Sequence, residues 1–475
     1  MAEKENSTQL AVIGAGPGGY PAAFLAADLG MQVTIIDPES NPGGVCLYRG
    51  CIPTKTLLHV AKVIREAEKA KTWGVEFSQP HIDLDKIRSW KDHVVHKLTG
   101  GLGQLCRQRK IRVIRGKARF YDPHTLEIQK VDGPSERLSF DHAVLATGSR
   151  PVSLPNIPID SPRVLNSAAA IELQDIPKSL LVVGGGYIGL ELGTVYATLG
   201  SDVSVVEMMP NILPGADQDL VRIYSQTAKR LFGSIMVRSR VADMKEHGDG
   251  IQVTIKGDRI EVEEKIYDKV LITVGRRPNS EDLGLEKTKV EVDDRGFVKV
   301  NAQRRTAEPS IYAVGDVVGG ALLAHKATRE GRVAVEVIAG RKIAFKPAAI
   351  PAILFTDPEI TWCGITETEA NEQNLEINIA KFPWGASGRA ATLDRMDGLT
   401  KFIIDSESER ILGVGIVGPG AGELISEGTL AMEMGAKVSD IAQTIHPHPT
   451  ISETMMEAAE VFYGMSTHVY RPRKS

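Results

Sequence analysis

At 475 residues the chain exceeds what one ordinary core accommodates, so roughly two to four domains are expected. A hydrophobic content of 42% with a net charge of −4 describes a globular protein with no global bias toward nucleic acid. Four cysteines in so long a chain exclude a disulfide framework and suit a reducing compartment.

The opening MAEKENSTQL is polar and lacks the apolar core of a signal peptide, which points to a cytoplasmic setting. Residues 9–19, QLAVIGAGPGG, join a short apolar strand to Gly14-x-Gly16-x-x-Gly19. An amphipathic helix, YPAAFLAADLG, follows and closes at Gly30, and a second strand, QVTIIDPES, ends at Asp37. In such a fingerprint the first glycine permits a tight turn, the second admits a pyrophosphate and the third lets helix pack on strand. The helix N-terminus then holds phosphate, and the acid accepts hydrogen bonds from a ribose.

Residues 43–55, GGVCLYRGCIPTK, place Cys46 and Cys51 just ahead of a helix, PTKTLLHVAKVIREAEKA, with Pro53 in its first turn. Cys51 lies at the helix N-terminus, where the dipole favours thiolate, and Lys55 adds positive charge on the same helical side. The spacing does not suit zinc, and no metal is expected. A close thiol pair of this kind is built for thiol–disulfide exchange. Cys106 and Cys363 stand alone and read as small buried hydrophobes.

The basic run RQRKIRVIRGKAR (107–119) alternates like a strand with one solvated face, and it is too isolated to imply nucleic-acid binding. Residues 180–200, LLVVGGGYIGLELGTVYATLG, are long enough to span a bilayer, but Gly184 to Gly186 and Glu191 break them into strand, turn and helix. They form a second fingerprint, Gly184-x-Gly186-x-x-Gly189, whose next strand ends at Glu207; in both copies the acid falls eighteen positions after the last glycine. Two dinucleotides on one chain are therefore expected. A carboxylate at 207 suits the free 2′-hydroxyl of NAD and repels the 2′-phosphate of NADP.

HAVLATGSRP (142–151) and KVLITVGRRPN (269–279) resemble each other and look like the exits from the two nucleotide units. SIYAVGDVVG (310–319) is an apolar strand ending at Gly315-Asp316. Near the C-terminus, TIHPHPTISE offers His446, His448 and Glu453 to a reaction that needs a proton acceptor near neutral pH. Taken alone, a His-Pro-His-Pro stretch is more often a structural turn.

GAGPGG, GGVCLYRGCIPTK, ATGSRP, GGGYIGLE, VGRRPN, AVGDVVG, LAHKA and HPHPTISE follow one another along nearly the whole chain, which thereby resembles the pyridine nucleotide-disulfide oxidoreductases. The resemblance implies an α/β fold with two Rossmann-like dinucleotide-binding domains, for FAD and NAD, plus an α+β C-terminal dimerisation domain. The expected boundaries are 1–150 and 281–350 for the FAD domain, 151–280 for the NAD domain and 351–475 for the interface domain. One tightly but non-covalently bound FAD per subunit is implied. Its contacts would be Gly14, Gly16, Gly19, Asp37, Gly43, Gly44, Val45, Lys55, Ala118, Gly148, Asp316 and Ala324. The NAD set would be Gly184, Gly185, Gly186, Tyr187, Ile188, Gly189, Glu191, Glu207, Val241 and Gly275, with Glu191 also the partner of Lys55.

By the same resemblance Cys46 is the interchange thiol, Cys51 the flavin-side thiol, and His448 the base oriented by Glu453. That histidine would reach the disulfide of a second subunit, giving a homodimer with shared active sites. The implied activity is reoxidation of a protein-bound dihydrolipoyl group through the Cys46–Cys51 disulfide and FAD, with hydride passing to NAD+. No lipoyl-bearing segment is evident, so lipoyl-bearing proteins of 2-oxoacid dehydrogenase or glycine cleavage complexes are the expected partners, with neither membrane nor nucleic acid. The alternatives are a related NAD(P)H-dependent reductase of another dithiol and a noncatalytic complex scaffold. Tyr48 and Arg49 fill the intercysteine loop where the family usually has Asn followed by Val or Arg, which leaves the loop packing open.

Overall fold

The strand Ser7–Ile13 is buried continuously from Leu10 onward and pairs in parallel with Val33–Asp37 on one side and Glu136–Leu145 on the other. Unbroken burial is what a parallel strand covered on both faces requires. This computed structural model describes residues 6–154, 160–258 and 260–470. The helix Gly19–Asp28 turns small residues inward, Gly19, Ala22, Ala23 and Ala26 among them. The helix Ala324–Ile338 therefore packs so close that a Cβ on Gly331 would strike the Gly18 carbonyl.

The strand Arg112–Asp122 serves two ladders. Residues 112–115 run parallel to Val33–Asp37, and the remainder pairs antiparallel with Thr125–Lys130, which returns onto Glu136–Leu145. Its buried positions, Ile114, Gly116, Ala118 and Phe120, alternate with solvated Arg115, Lys117 and Arg119. Arg115 and Arg119 pair with Asp132 and Glu127, so the basic run is an ion-paired sheet face. Its first two residues instead end the helix Leu84–Gln108. Ile311–Ala313 completes this six-stranded sheet from far along the chain.

Residues 146–310 are thus inserted between neighbouring strands of one sheet. Within them, five parallel strands lie in the order Ser234–Met236, Asp202–Val206, Ser179–Val183, Lys269–Ile272 and Val164–Leu165. An antiparallel meander, Ser239–His247, Gly250–Gly257 and Ile260–Tyr267, backs them. The two exit segments meet, Ser149–Pro151 pairing antiparallel with Arg276–Pro278. The apolar run at 180–200 divides into the strand Ser179–Val183 and the helix Tyr187–Leu199. Among the described residues no helix is long and apolar enough to cross a membrane.

The C-terminal unit is an antiparallel sheet in the order Ala352–Leu354, Glu359–Gly364, Ile411–Gly418, Leu399–Asp405 and Ile377–Pro383. The helices Ala421–Glu433 and Glu453–Tyr463 cover it over a core that includes Trp384, Phe402, Ile416 and Met455. The architecture is α/β with a third, α+β unit, as expected.

A buried cation ties this unit to the second nucleotide unit. Lys401 is fully buried, and its Nζ reaches Asp217 at 2.6 Å, Asp219 at 2.9 Å and Glu367 at 2.8 Å. Lys381 reaches Asp219 and Glu367 as well, at 2.6 and 3.0 Å. Asp217 precedes the helix Gln218–Leu231 of the nucleotide unit, whereas both lysines stand on strands of the C-terminal sheet.

Candidate active site and cofactor cradle

The two glycine fingerprints fold alike. Gly14 and Gly184 adopt φ of +95° and +108°, and a Cβ on either would strike a carbonyl of the neighbouring strand exit, Ala146 or Thr273. A Cβ on Gly19 would meet the Gly14 carbonyl, and one on Gly189 the Gly184 carbonyl. The central glycines differ from these: Gly16 faces nothing closer than Gly44 Cα at 3.8 Å, and Gly186 faces open space. Turn, packing and phosphate approach are thus divided among the glycines as the pattern demands.

The acids match too. Asp37 accepts from the N–H of Ala15 at 2.7 Å and of Glu39 at 2.9 Å; Glu207 accepts from Gly185 at 2.6 Å and Met209 at 2.7 Å. Each carboxylate buttresses its glycine loop from the end of the second strand. Burial pushes the Asp37 carboxyl above its ordinary pKa against the pull of those N–H groups.

A cavity of about 1350 Å³ runs from the first fingerprint to the second. Of the residues expected at FAD, Gly14, Gly16, Asp37, Gly44, Val45, Lys55, Ala118, Gly148, Asp316 and Ala324 line it, together with both cysteines. Gly19 packs beneath the loop, and Gly43 donates its N–H to the Ala15 carbonyl at 2.8 Å. From the NAD set only Gly186, Tyr187, Ile188 and Glu191 open onto this cavity. The side chains of two members of that set have partners within the protein. The Glu191 carboxylate turns away from its own fingerprint, meeting Lys55 Nζ at 2.7 Å and the Phe355 N–H at 3.0 Å. The Val241 side chain is buried with Leu181, Val183 and Val253, so only its backbone, beside a bulge, is left to face a ligand. The volume, the open glycine fronts and the placed carboxylates fit an extended dinucleotide.

The short helix Gly44–Arg49 abuts Cys51–Ala70 across Gly50, whose Cβ would lie 2.9 Å from the Val45 carbonyl. This close junction sets the free thiols of Cys46 and Cys51 beside each other. The neighbouring Cys46 thiol lowers Cys51 to about 7; burial opposes, and the Lys55 charge assists. Cys51, with burial, pushes Cys46 up. Of the two, Cys51 is the one favoured as thiolate.

Sequence reasoning left Tyr48 and Arg49 open. Tyr48 donates to the Asn41 carbonyl at 3.0 Å and Arg49 pairs with Glu39, so both fasten the loop after the second strand. It missed Ser149, which donates to Asp316 and accepts from Arg276 Nε at 2.7 Å. Arg276 also reaches the Ser149 carbonyl at 2.6 Å, linking the residue after Gly275 to Asp316. The likeness of ATGSRP to VGRRPN was the available signal, because paired strands bring those residues together.

His448 donates from Nδ1 to Glu453 at 2.9 Å, and the other carboxylate oxygen accepts from the Thr450 N–H at 2.9 Å. Burial notwithstanding, these bonds hold the Glu453 carboxyl below its usual range. The histidine side chain is 79% exposed, and neither residue lines the cavity. The expected base and orienter, His448 and Glu453, are brought together; neither opens onto the cavity that the cysteines line.

Fold and site define a class: a two-nucleotide, dithiol oxidoreductase. Residues 8–331 match the family described as pyridine nucleotide-disulphide oxidoreductase, and residues 350–459 match its dimerisation domain. The chain belongs to this family, whose cofactors are FAD and NAD. Over 464 residues it is 50% identical to the dihydrolipoyl dehydrogenase of Haemophilus influenzae, covering 98% of this chain and 97% of that one. The Vibrio cholerae dihydrolipoyl dehydrogenase is 47% identical over the same share of each chain. Among solved structures, LpdA from Mycobacterium tuberculosis superposes with a TM-score of 0.89 at 26% identity, covering 96% of this chain and 99% of that one. The copper(II) complex of the HOCl-induced flavoprotein disulfide reductase RclA from Escherichia coli gives 0.85 at 27% identity, with the same coverage.

Proposed function

We propose that the protein is a dihydrolipoyl dehydrogenase, reoxidising a protein-bound dihydrolipoyl group with NAD+ as final acceptor. The observation that carries this reading is the close Cys46 and Cys51 thiol pair, opening on a cavity that reaches both fingerprints. In the oxidised enzyme a substrate thiolate attacks Cys46 Sγ, and the Cys46–Cys51 bond breaks with its electron pair on Cys51. That leaving thiolate is stabilised by Lys55 and by its place in the first turn of Cys51–Ala70. The second substrate thiol then closes the substrate disulfide and releases Cys46, and His448 takes up the proton. Bound FAD supplies the step from thiolate electrons to hydride for NAD+. Lys55, held by Glu191, keeps a positive charge beside that transfer. Glu207 selects NAD+ by favouring a free 2′-hydroxyl.

We place the FAD domain at 1–150 and 281–350, the NAD domain at 151–280 and the interface domain at 351–475. The exposed His448 serves the cysteines of a second subunit, so the active unit is a homodimer. The partners are lipoyl-bearing proteins of 2-oxoacid dehydrogenase or glycine cleavage complexes in the cytoplasm. The test is oxidation of dihydrolipoamide by the purified flavoprotein with NAD+, set against NADP+ and against glutathione as thiol. Equal rates with both nicotinamides, or a preference for glutathione, overturn the assignment. Mixing Cys46→Ser with His448→Gln subunits restores activity if sites are shared; an active dilute monomer refutes sharing.

A further inference from the structure

The loop carrying His448 contains a second histidine–carboxylate couple with no part in the chemistry above. His446 lies between the helices Val438–Gln443 and Glu453–Tyr463, and its side chain is only 4% exposed. Its Nδ1 sits 2.9 Å from the Thr444 carbonyl, and its Nε2 sits 2.8 Å from Glu427 on the helix Ala421–Glu433. A carbonyl and a carboxylate offer no proton, so both ring nitrogens must donate, and only the imidazolium has two N–H groups. An imidazole is more basic than a carboxylate by about two pKa units, so the shared proton resides on the ring. His448 differs in exposure: its Nδ1 is committed to Glu453, and the rest of its ring is solvent-facing.

We infer that His446 is a standing cation, clamped between Glu427 and the Thr444 carbonyl, and that it is the positioning residue that fixes the 444–450 loop and so presents His448. The charged groups around His446 are Glu427 from the covering helix and Glu453 from the following one. The Glu427 hydrogen bond raises the His446 pKa above its ordinary value, against partial burial, and the Thr444 carbonyl and Glu453 add to the rise. A raised histidine contributes its stabilisation below its unfolded value, near 6.5, and loses it as pH climbs through the folded value. The clamp is therefore complete in mildly acidic solution and opens toward alkaline pH.

The inference rests on His448 being the base, and the test separates the two. Histidine Cε1 resonances of the labelled holoenzyme are followed against pH, with His446 assigned by the signal missing from His446→Gln. The expected result is a His446 titration above about 6.5, falling in the isosteric Glu427→Gln variant. In dihydrolipoamide turnover, Glu427→Gln should equal the parent at pH 6 and fall by up to about a hundredfold in kcat at pH 8, with the KM for NAD+ unchanged. A His446 that titrates below about 6.5, or a Glu427→Gln profile parallel to the parent at every pH, overturns the clamp. Full turnover by His448→Gln would instead overturn the base assignment, while the His446 titration still decides the clamp's charge.

Discussion

Replacing Lys55 by methionine tests whether the Lys55–Glu191 pair is both a support and a source of thiolate. Glu191 is nearly sealed, with 3% of its side chain exposed, and among the described residues its carboxylate has Lys55 Nζ and the Phe355 N–H as partners. Breaking a buried pair by removing one member costs about 3–5 kcal/mol. Lys55 is itself 30% exposed, which places the effect near the lower end, about 3 kcal/mol. At about 2.1 cal/mol/K of unfolding entropy per residue, 475 residues carry about 1 kcal/mol/K, so the midpoint should fall by about 3 °C. With Cys51 at about 7, about three-quarters of it is thiolate at pH 7.5. Losing the neighbouring charge should raise Cys51 to about 8 and leave about a quarter ionised. The rate of iodoacetamide alkylation of the reduced enzyme then drops about threefold, following the thiolate fraction. Adding Glu191→Gln should recover most of the melting temperature, since no buried charge is left unpaired, but not the full alkylation rate. An unchanged melting curve together with an unchanged alkylation profile in Lys55→Met would refute the reasoning.

Gly186→Ala should fold normally, because a Cβ there meets no atom, yet raise the KM for NAD+ more than about tenfold by filling the phosphate approach, with flavin content unaltered; steady-state kinetics and flavin absorbance check both. Gly189→Ala should lower soluble yield and melting temperature instead, since its Cβ would strike the Gly184 carbonyl and stand 2.6 Å from Thr273 Oγ1. Glu207→Gln should lower kcat/KM for NAD+ about tenfold and narrow the preference over NADP+, measured with both coenzymes. Lys401→Met should destabilise by about 3–5 kcal/mol at pH 7, leaving Asp217 uncompensated and Asp219 and Glu367 to share Lys381. Burial raises the Asp219 pKa, but Lys381 and Lys401 outweigh it and hold the carboxyl low. Its contribution is thus present above its unfolded value, near 3.9, and lost as pH falls through the folded one. The melting difference between parent and Lys401→Met should therefore narrow below about pH 4.

Much of the cradle was legible because its signals are local. Gly14, Gly16 and Gly19 report their own backbone needs, and Asp37 follows at a fixed distance set by one helix and one strand. Cys51 could be assigned the thiolate from its place ahead of Pro53 and Lys55. What escaped depends on residues far apart in the chain. Ser149, Arg276 and Asp316 converge only because two exit strands pair. The burial of Val241 in a core is set by a meander packing behind the parallel strands. His446 and His448 look equivalent in HPHPTISE, and what separates them is burial against a distant helix, whose Glu427 meets His446 while His448 stays exposed beside the local Glu453. Tyr48 could not be read because its partner is a main-chain oxygen, at Asn41, which carries no residue identity.

The ribbon of Ser149–Pro151 against Arg276–Pro278 means that the chain enters and leaves the second nucleotide unit through one doorway. Such a unit is a cassette: a graft reading a different coenzyme needs a single seam there. On its far side the graft must also bring an acid pair to the places of Asp217 and Asp219, or the ammonium of Lys401 is left short of counter-charge in the interior. Transplants that respect the seam but omit those two acids should fail in folding rather than in coenzyme choice.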